Sequence, residues 1–309
     1  MNRLSRAPDA DPLYARPAAE RPSYATGMLL DAQDFSDEQT YHRGRLARAL
    51  ASLTAGGTLA GLRVLHSPAV AAPDARPEEI RVEPGVAVDR LGRLIEVPRP
   101  ACVRVQPWFD AAFAADGGDA LRRAAYSNLN RFLSDRAIAE AGTEGRPAIP
   151  ARGVVADVFL RFIACARGLT PSFASGPFEA LDAVATSRVR DAYELQLVPR
   201  DGLDDAFDGL PSPGPDLAAI ADVAQRRARL QDAILDSYPA SGRAATSGEL
   251  DPLPEHPNDV DRTAVFLARV VIPVGAADPP ARAGSAVVVD GWGRRFIPSA
   301  LLVARWIGA

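Results

Sequence analysis

The sequence predicts an α+β fold in which an antiparallel β-meander or β-sandwich core carries an N-terminal amphipathic helix and helical insertions. Near the N-terminus, apolar residues recur at three- and four-residue spacing, which is typical of a helix with one buried face. Between residues 80 and 105 the spacing changes to two, which is typical of half-buried strands. The 27 Pro and 24 Gly among 309 residues supply the turns that short antiparallel strands need.

The first predicted element is a helix from about Phe35 to Leu53. Ser36 and Gln39 have the spacing of a capping box, in which two side chains bond reciprocally to backbone amides. We expect Gly56 and Gly57 to end this helix and a strand to follow over Thr58 to Leu65. The apolar stripe expected to face the core consists of Leu46, Ala49, Leu50 and Leu53.

The segment from Ile80 to Val105 predicts the meander. Pro84 and Gly85 indicate one turn, and Asp89 to Gly92 has the Asp-first, Gly-fourth pattern of a type I turn that closes a hairpin. A helical insert is predicted next, from about Ala120 to Ala141. Its apolar face consists of Leu121, Ala125, Leu129, Phe132 and Leu133.

The rest of the chain alternates strands with Pro-rich connectors and two helices. Strands are predicted over Val154 to Ala166, Arg188 to Val198, Ala264 to Val274 and Ser285 to Asp290. Helices are predicted from about Asp216 to Ser237, with an amphipathic pattern, and from about Pro298 to Ile307, with a short apolar one.

This order of elements suggests five regions. They are a flexible N-terminal arm (1–27), a helix and strand docking module (28–66), a β domain with the helical insert at about 120–141 (67–200), linkers around an amphipathic helix (201–262), and C-terminal strands and a helix that complete the β domain (263–309).

Residue chemistry excludes several classes of protein. All 35 basic residues are arginine, so mechanisms that need a lysine ammonium, such as the phosphate-binding loop or Schiff-base catalysis, are excluded. A net charge of −4 argues against nucleic-acid binding. The histidines His42, His66 and His256 lack the spacing of zinc ligands. We therefore predict no catalytic, cofactor-binding or metal-binding residues.

The two cysteines, Cys102 and Cys165, lie 63 positions apart in apolar runs. We expect both to be buried reduced thiols, since free cysteine behaves as a small hydrophobic residue. The N-terminus lacks the apolar stretch of a secretory signal, and no apolar run has the roughly 18 residues of a membrane span. We expect a soluble protein made in the cytoplasm.

Two sequence blocks resemble those of a known group of proteins. The first runs from Gly27-Met28-Leu29-Leu30 through Asp34-Phe35, Glu38-Gln39 and Tyr41-His42 to Gly61-Leu62-Arg63-Val64. The second is Val82 to Asp89 followed by Gly92-Arg93-Leu94-Ile95. Both are similar to modules of structural proteins from phage-tail-like contractile injection systems and bacteriophage baseplates.

The resemblance implies a non-enzymatic structural component that assembles at or near a baseplate, in one form as an adaptor for fibres or spikes. Its expected partners are other tail or baseplate proteins and copies of itself, without nucleic acid or membrane insertion. We would then expect it in a cytoplasmic tail-like particle that is later released or attached to a membrane. The interface candidates on the first helix are Asp34, Phe35, Gln39, Tyr41, Arg43, Arg45 and Arg48.

Two other functions stay open at this point. A receptor- or glycan-binding tail fibre protein could stack sugars on Trp108, Trp292 and Trp306. A cell-wall hydrolase would need two carboxylates about 5 to 9.5 Å apart in a cleft.

Overall fold

A computed structural model describes residues 13, 20–171, 184–203, 216–237, 250–251, 253, 255–257, 260–284 and 286–308. Its helices are α1 (Ala32–Thr54), α2 (Val105–Asp116), α3 (Asp119–Arg123), α4 (Asp135–Glu140), α5 (Val223–Asp236) and α6 (Ala300–Trp306). Its strands are β1 (Gly57–Gly61), β2 (Val64–Ser67), β3 (Glu79–Val82), β4 (Gly85–Val88), β5 (Leu94–Val97), β6 (Ala101–Arg104), β7 (Ala125–Ser127), β8 (Arg152–Pro171), β9 (Val184–Pro199), β10 (Val265–Pro273) and β11 (Val288–Asp290).

The described strands form three antiparallel sheets. Two are small, with strand orders β1-β4-β5 and β2-β3-β6. The third has the order β11-β10-β8, and both β7 and β9 pair with β8. Since β10 occupies one edge of β8, β7 and β9 follow one another along its other edge. The predicted α+β class with an antiparallel meander is confirmed.

One apolar core is shared by all three sheets. Val82, Ile95, Leu160, Leu267 and Ile272 all lie in it and are almost completely buried. The second face of β8 and β10 is also covered, by two smaller clusters. One is formed with residues 129–138, and the other with residues 260–266. This double burial explains why the sequences of β8 and β10 are nearly continuous apolar runs.

The predicted hairpin turn at Asp89 to Gly92 is confirmed. β4 and β5 are antiparallel, with Val88 opposite Leu94. The Gly92 amide donates to the Asp89 carbonyl at 2.9 Å. Gly92 has a φ of +82°, a conformation that favours glycine.

The first helix differs from its prediction at both its start and its buried face. α1 begins at Ala32, because Asp31 and Asp34 form the capping box that was assigned to Ser36 and Gln39. Its buried residues are Gly44, Ala47 and Ala51. The predicted stripe is wrong, since Leu46 and Leu53 are 63% and 81% exposed. Small residues replace the stripe because the helix backbone approaches the β4–β5 turn very closely.

Several other boundaries are also corrected. The strand expected over residues 58–65 is divided into β1 and β2, because Leu62 takes a left-handed φ of +55°. Val105 opens α2, a helix that was not predicted. The insert at 120–141 is not one helix but α3, β7, a 3-10 turn over Leu129–Phe132 and α4. The amphipathic helix begins at Val223 and none of its residues is buried.

The remaining predicted elements are confirmed. β8 and β9 contain the strands predicted over 154–166 and 188–198, and β10, β11 and α6 lie where the C-terminal elements were expected. Most of the predicted N-terminal arm (1–12 and 14–19) and much of the linkers (204–215 and 238–249) lie outside the described residues.

We predict that Gly92→Ala weakens the docking of α1. A Cβ at Gly92 would lie 1.7 Å from the Ala47 carbonyl oxygen, so overpacking of about 1–3 kcal/mol adds to about 1–2 kcal/mol of backbone strain. Gly117→Ala is the control, because Gly117 also has a positive φ but nothing within 4 Å of its Cβ. Urea unfolding measures both; equal losses of unfolding free energy would contradict the close packing of α1.

Candidate interaction surfaces

The second face of the central sheet contains a buried ion cluster. Arg269 on β10 lies directly opposite Asp157 on β8, and its guanidinium donates to both carboxylate oxygens at 2.8 and 3.0 Å. Arg200, just after β9, lies 3.4 Å from the same carboxylate. All three side chains are almost fully buried. Asp157 therefore compensates two buried guanidinium groups.

The two arginines also hold the segments that cover this face. Arg269 Nη1 donates to the Phe132 carbonyl at 3.3 Å, and Arg200 Nη1 donates to the Glu255 carbonyl at 2.6 Å. The Glu255 carboxylate pairs in turn with Arg295. The ion cluster thus joins the sheet to the insert on one side and to the 255–264 segment on the other.

A second buried pair fixes the β4–β5 turn. Asp89 Oδ1 accepts hydrogen bonds from the amides of Leu91 and Arg93, both at 2.9 Å. Its Oδ2 accepts from Arg93 Nε at 2.6 Å. Arg93 Nη2 also donates to the Thr263 hydroxyl at 2.9 Å, and the guanidinium lies 4.7 Å from the centroid of the Phe162 ring. The turn is consequently joined to β8 and to the segment that precedes β10.

Further arginines bind backbone carbonyl groups. Arg90 Nη1 donates to the Asp251 carbonyl at 2.6 Å, and Arg294 Nη1 donates to the Leu62 carbonyl at 2.6 Å. Burial, with the neighbouring Arg63, lowers the pKa of Arg294 to about 10, so the group stays protonated at neutral pH. These arginines satisfy carbonyl groups at loops where no strand partner is available.

The buried acidic groups are therefore occupied by structural contacts. Asp290, for example, accepts from the Ser134 amide at 2.7 Å, the Ser134 hydroxyl at 2.9 Å and the Trp292 amide at 3.0 Å. Among the described residues, no group of three or more His, Cys, Asp or Glu side chains could hold a metal ion. The buried carboxylates of Asp89, Asp157 and Asp290 all take part in contacts that join one segment of the fold to another.

One half-buried ion cluster joins a loop to the edge of a small sheet. Glu78, just before β3, is bonded to His66 Nε2 at 2.9 Å and to Arg282 Nη2 at 2.9 Å. Burial on its own would raise the pKa of Glu78, but the bonds from Arg282 and His66 outweigh it and lower the pKa below its ordinary value.

The seven interface candidates all lie on α1. Asp34 is used locally, because its carboxylate accepts from the Asp31 amide at 2.9 Å. Phe35 is 50% exposed, and Arg45 lies 5.1 Å from the centroid of the Tyr41 ring. Gln39, Arg45 and Arg48 are exposed, while Tyr41 and Arg43 are half-buried. The structure leaves this helix accessible, and its role as an interface stays a prediction.

Besides α1, three described segments expose several large apolar side chains. In the first, Leu29 and Leu30 precede α1 and are exposed. The second is α5, where Val223, Ile234 and Leu235 are exposed. The third is α6, whose exposed apolar residues are Leu301, Leu302, Val303 and Trp306, followed by Ile307.

The α6 segment is the most apolar of these. Ser299 begins it as an N-cap, with its hydroxyl accepting from the Leu302 amide at 3.3 Å. Trp306 is 87% exposed, and none of the helix's residues is buried. A cluster of large apolar side chains in water is typical of a surface that binds a partner.

The tryptophans and cysteines are placed differently from one another. Trp108 and Trp292 are half-buried, and their indole groups donate to the Leu197 carbonyl at 2.7 Å and to Glu140 at 3.3 Å. Both therefore have internal roles, unlike Trp306.

The expectation that both cysteines are buried is wrong, since Cys102 on β6 is exposed and Cys165 on β8 is intermediate.

Sequence reasoning missed the buried ion cluster, although a signal was present. Asp157 interrupts the apolar run of β8, and Arg269 interrupts that of β10. Opposite charges inside two otherwise apolar strands indicate that the strands are neighbours, because an unpaired buried charge is very costly.

Comparison with known proteins found no matching family model, no similar curated protein and no similar solved structure. Among the described residues, no helix has both the length and the apolar character needed to cross a membrane.

We predict that Asp157→Asn destabilises the protein by about 3–5 kcal/mol, because Arg269 and Arg200 lose their buried counter-charge. The matched control is Asp201→Asn, which breaks an exposed pair with Arg123 and should cost less than about 1 kcal/mol. Urea unfolding monitored by circular dichroism gives both values. Similar losses for the two variants would show that the buried cluster is not important for stability.

We also predict that the effect of Glu78→Gln depends on pH. The folded-state pKa of Glu78 lies below its ordinary value of 4.5, so the ionised carboxylate stabilises the fold above that value. This stabilisation is lost as the pH falls through the folded-state pKa. The variant should lose about 1–2 kcal/mol at pH 7, and this loss should shrink as the pH falls below 4.5.

Urea titrations at several pH values measure this difference. Glu79→Gln is the control, because the Glu79 carboxylate is 3.9 Å from an exposed Arg104. A Glu78→Gln difference that stayed constant down to pH 3 would contradict the assigned ion pair.

Proposed function

We propose that this protein is a non-enzymatic structural component of a phage tail or contractile injection system, assembling at or near the baseplate. The resemblance of the 27–64 and 82–95 blocks to baseplate-associated proteins suggests the kind of particle. The observation that supports an assembly role is the set of apolar side chains on α5, α6 and the segment before α1 that the described chain does not cover.

A monomer gains no stability from these exposed apolar groups. Burial of apolar surface stabilises by about 25 cal/mol per Å². The exposed side chains of Leu301, Leu302 and Trp306 therefore leave a large burial free energy unrealised. A neighbouring subunit would provide that contribution on assembly. Docking of α6 onto such a neighbour accounts for an apolar C-terminal helix that has its own N-cap but no buried residue.

The β8–β9 hairpin gives independent support. Among the described residues, its outer part, residues 164–171 of β8 and 184–191 of β9, pairs within the hairpin alone, because the pairing of β8 with β10 ends at Leu160 of β8. Val189 in this part is 60% exposed. A two-stranded ribbon is only marginally stable in water. Its long, twisted edges are therefore suited to extension by a strand of another subunit.

A role as fibre or spike adaptor is one form of this proposal. An adaptor needs at least two surfaces that bind different partners. Helix α6 and the outer part of the β8–β9 hairpin are two such candidate surfaces, and they come from different parts of the chain.

The receptor- or glycan-binding alternative has less support, because the indole groups of Trp108 and Trp292 are hydrogen-bonded inside the protein. The hydrolase alternative has less support because Asp157 and Asp290 are fully bonded in structural roles.

The direct test is the composition of particles purified from the producing cells. Mass spectrometry and a cryo-EM map should find this chain in stoichiometric amounts at one end of a tail-like particle. Particles that contain sheath and tube proteins but lack this chain would contradict the proposal.

We predict that charged residues on α6 prevent incorporation into the particle. Leu302→Glu with Trp306→Glu should reduce the incorporated amount at least tenfold, because two carboxylates would have to be desolvated at the interface. Leu94→Glu is the control, since Leu94 is an exposed apolar residue on β5. Quantitative mass spectrometry of particles from complemented cells measures the outcome. Equal incorporation of the α6 variant and the wild-type protein would exclude α6 as the docking segment.

A further inference from the structure

The outer face of α1 carries a stripe with the spacing of a coiled-coil seam. Its members alternate at four- and three-residue intervals, and all of them are exposed: Phe35, Gln39, His42, Leu46, Ala49 and Leu53. At about 100° per residue, the stripe lies roughly 150° around the helix axis from the buried Gly44, Ala47 and Ala51. One face of α1 is therefore docked on its own domain, and the opposite face is available.

We propose that this stripe binds the same stripe of a second copy of the chain, with the two α1 helices antiparallel. A two-fold axis between residues 40 and 41 pairs the stripe positions from 35 to 49 with positions of similar character, while Leu53 lies opposite residue 28, before the start of the helix. Phe35 then meets Leu46 of the second copy, and Gln39 meets His42. Ala32 meets Ala49, so large, polar and small residues each meet their own kind.

The charge distribution selects the antiparallel orientation. Four acidic residues lie at the start of the helix, Asp31, Asp34, Asp37 and Glu38, and three basic residues follow, Arg43, Arg45 and Arg48. A parallel pair would place like charges side by side and align the two helix dipoles. Glu38 directly precedes the stripe residue Gln39, and Arg45 directly precedes the stripe residue Leu46, so both lie on the same side of the stripe. In the antiparallel pair, Glu38 of each copy therefore faces Arg45 of the other.

The helix is already ordered before it associates. Its buried face is anchored on the β4–β5 turn, so association does not have to order the helix backbone. Its 23 residues correspond to about 34 Å and three heptads, near the lower limit for a coiled coil. The polar layer of Gln39 and His42 reduces affinity but specifies the register. We therefore expect a dimer of moderate affinity.

This inference does not depend on the proposed function, because it is tested with the purified full-length protein alone. Sedimentation equilibrium should show the mass rising with concentration from 32.7 kDa to twice that value. Leu46→Glu should weaken the association at least tenfold, whereas Leu235→Glu, on the exposed face of α5, should not. Circular dichroism and urea unfolding check that both variants remain folded. A monomer at all concentrations up to the millimolar range, or equal effects of the two variants, would overturn the proposal.

A charge-reversal cycle tests the predicted cross-pair. Glu38→Arg and Arg45→Glu should each weaken association several-fold, and the double variant should restore it. Glu38 also accepts a hydrogen bond from the Tyr24 hydroxyl at 2.8 Å, so Tyr24→Phe is included as the control and should leave association unchanged. Failure of the double variant to recover association would overturn the assigned orientation.

Disulfide trapping tests the register independently. With Cys102→Ser and Cys165→Ser as background, a Phe35→Cys, Leu46→Cys double variant should form a disulfide-linked dimer on mild oxidation. The two positions are about 16 Å apart within one helix, too far for an internal bond. Leu46→Cys alone should not be trapped. Efficient trapping of the single variant would indicate a parallel pair and overturn the antiparallel proposal.

Discussion

The fold depends on one buried ion pair between two central strands. Asp157 and Arg269 face each other on the second face of β8 and β10, and Arg200 shares the same carboxylate. Two small apolar clusters cover this face on either side, and both arginines bind carbonyl groups of the covering segments. The pair therefore fixes the position of the insert and of the 255–264 segment. A purely apolar contact would not be specific enough to do this, because apolar surfaces can slide over one another.

The described chain buries several charged groups within its apolar core and exposes several large apolar side chains. Charged groups lie inside, where guanidiniums bind carboxylates and loop carbonyls, while large apolar groups on α5 and α6 lie outside. Arginine suits the interior role because its planar fork makes several bonds at once and keeps its proton. The exposed helices suit an assembly protein, since the core of the described chain is complete without them. In the proposed assembly, stability and association are carried by different parts of the sequence.

Local sequence patterns predicted the elements in which the residue type at each position follows directly from the local structure. The turn at Asp89 to Gly92 was predicted because Asp and Gly have specific roles there, and β8 and β10 because doubly buried strands are continuously apolar. The buried face of α1 was not predicted correctly, because a search for hydrophobic periodicity selects the largest apolar side chains. At this contact the backbone of α1 at Ala47 and Ala51 approaches Gly92 so closely that a Cβ on Gly92 would lie 1.7 Å from the Ala47 carbonyl oxygen. The insert was predicted as one helix because its periodicity does not reveal that the chain leaves the helix after Arg123 to pair as β7 and then turns at the left-handed Asn128.

The close approach of α1 to the β4–β5 turn also constrains how the sequence can change during evolution. Large hydrophobic residues in a core can exchange with one another, but a contact between two backbones admits only the smallest side chains. Homologous proteins should therefore keep Gly or Ala at positions 47 and 51 together with Gly at position 92, even where their apolar residues have diverged. This combination of small residues in two separate segments offers a way to identify distant relatives whose overall similarity is too low to detect.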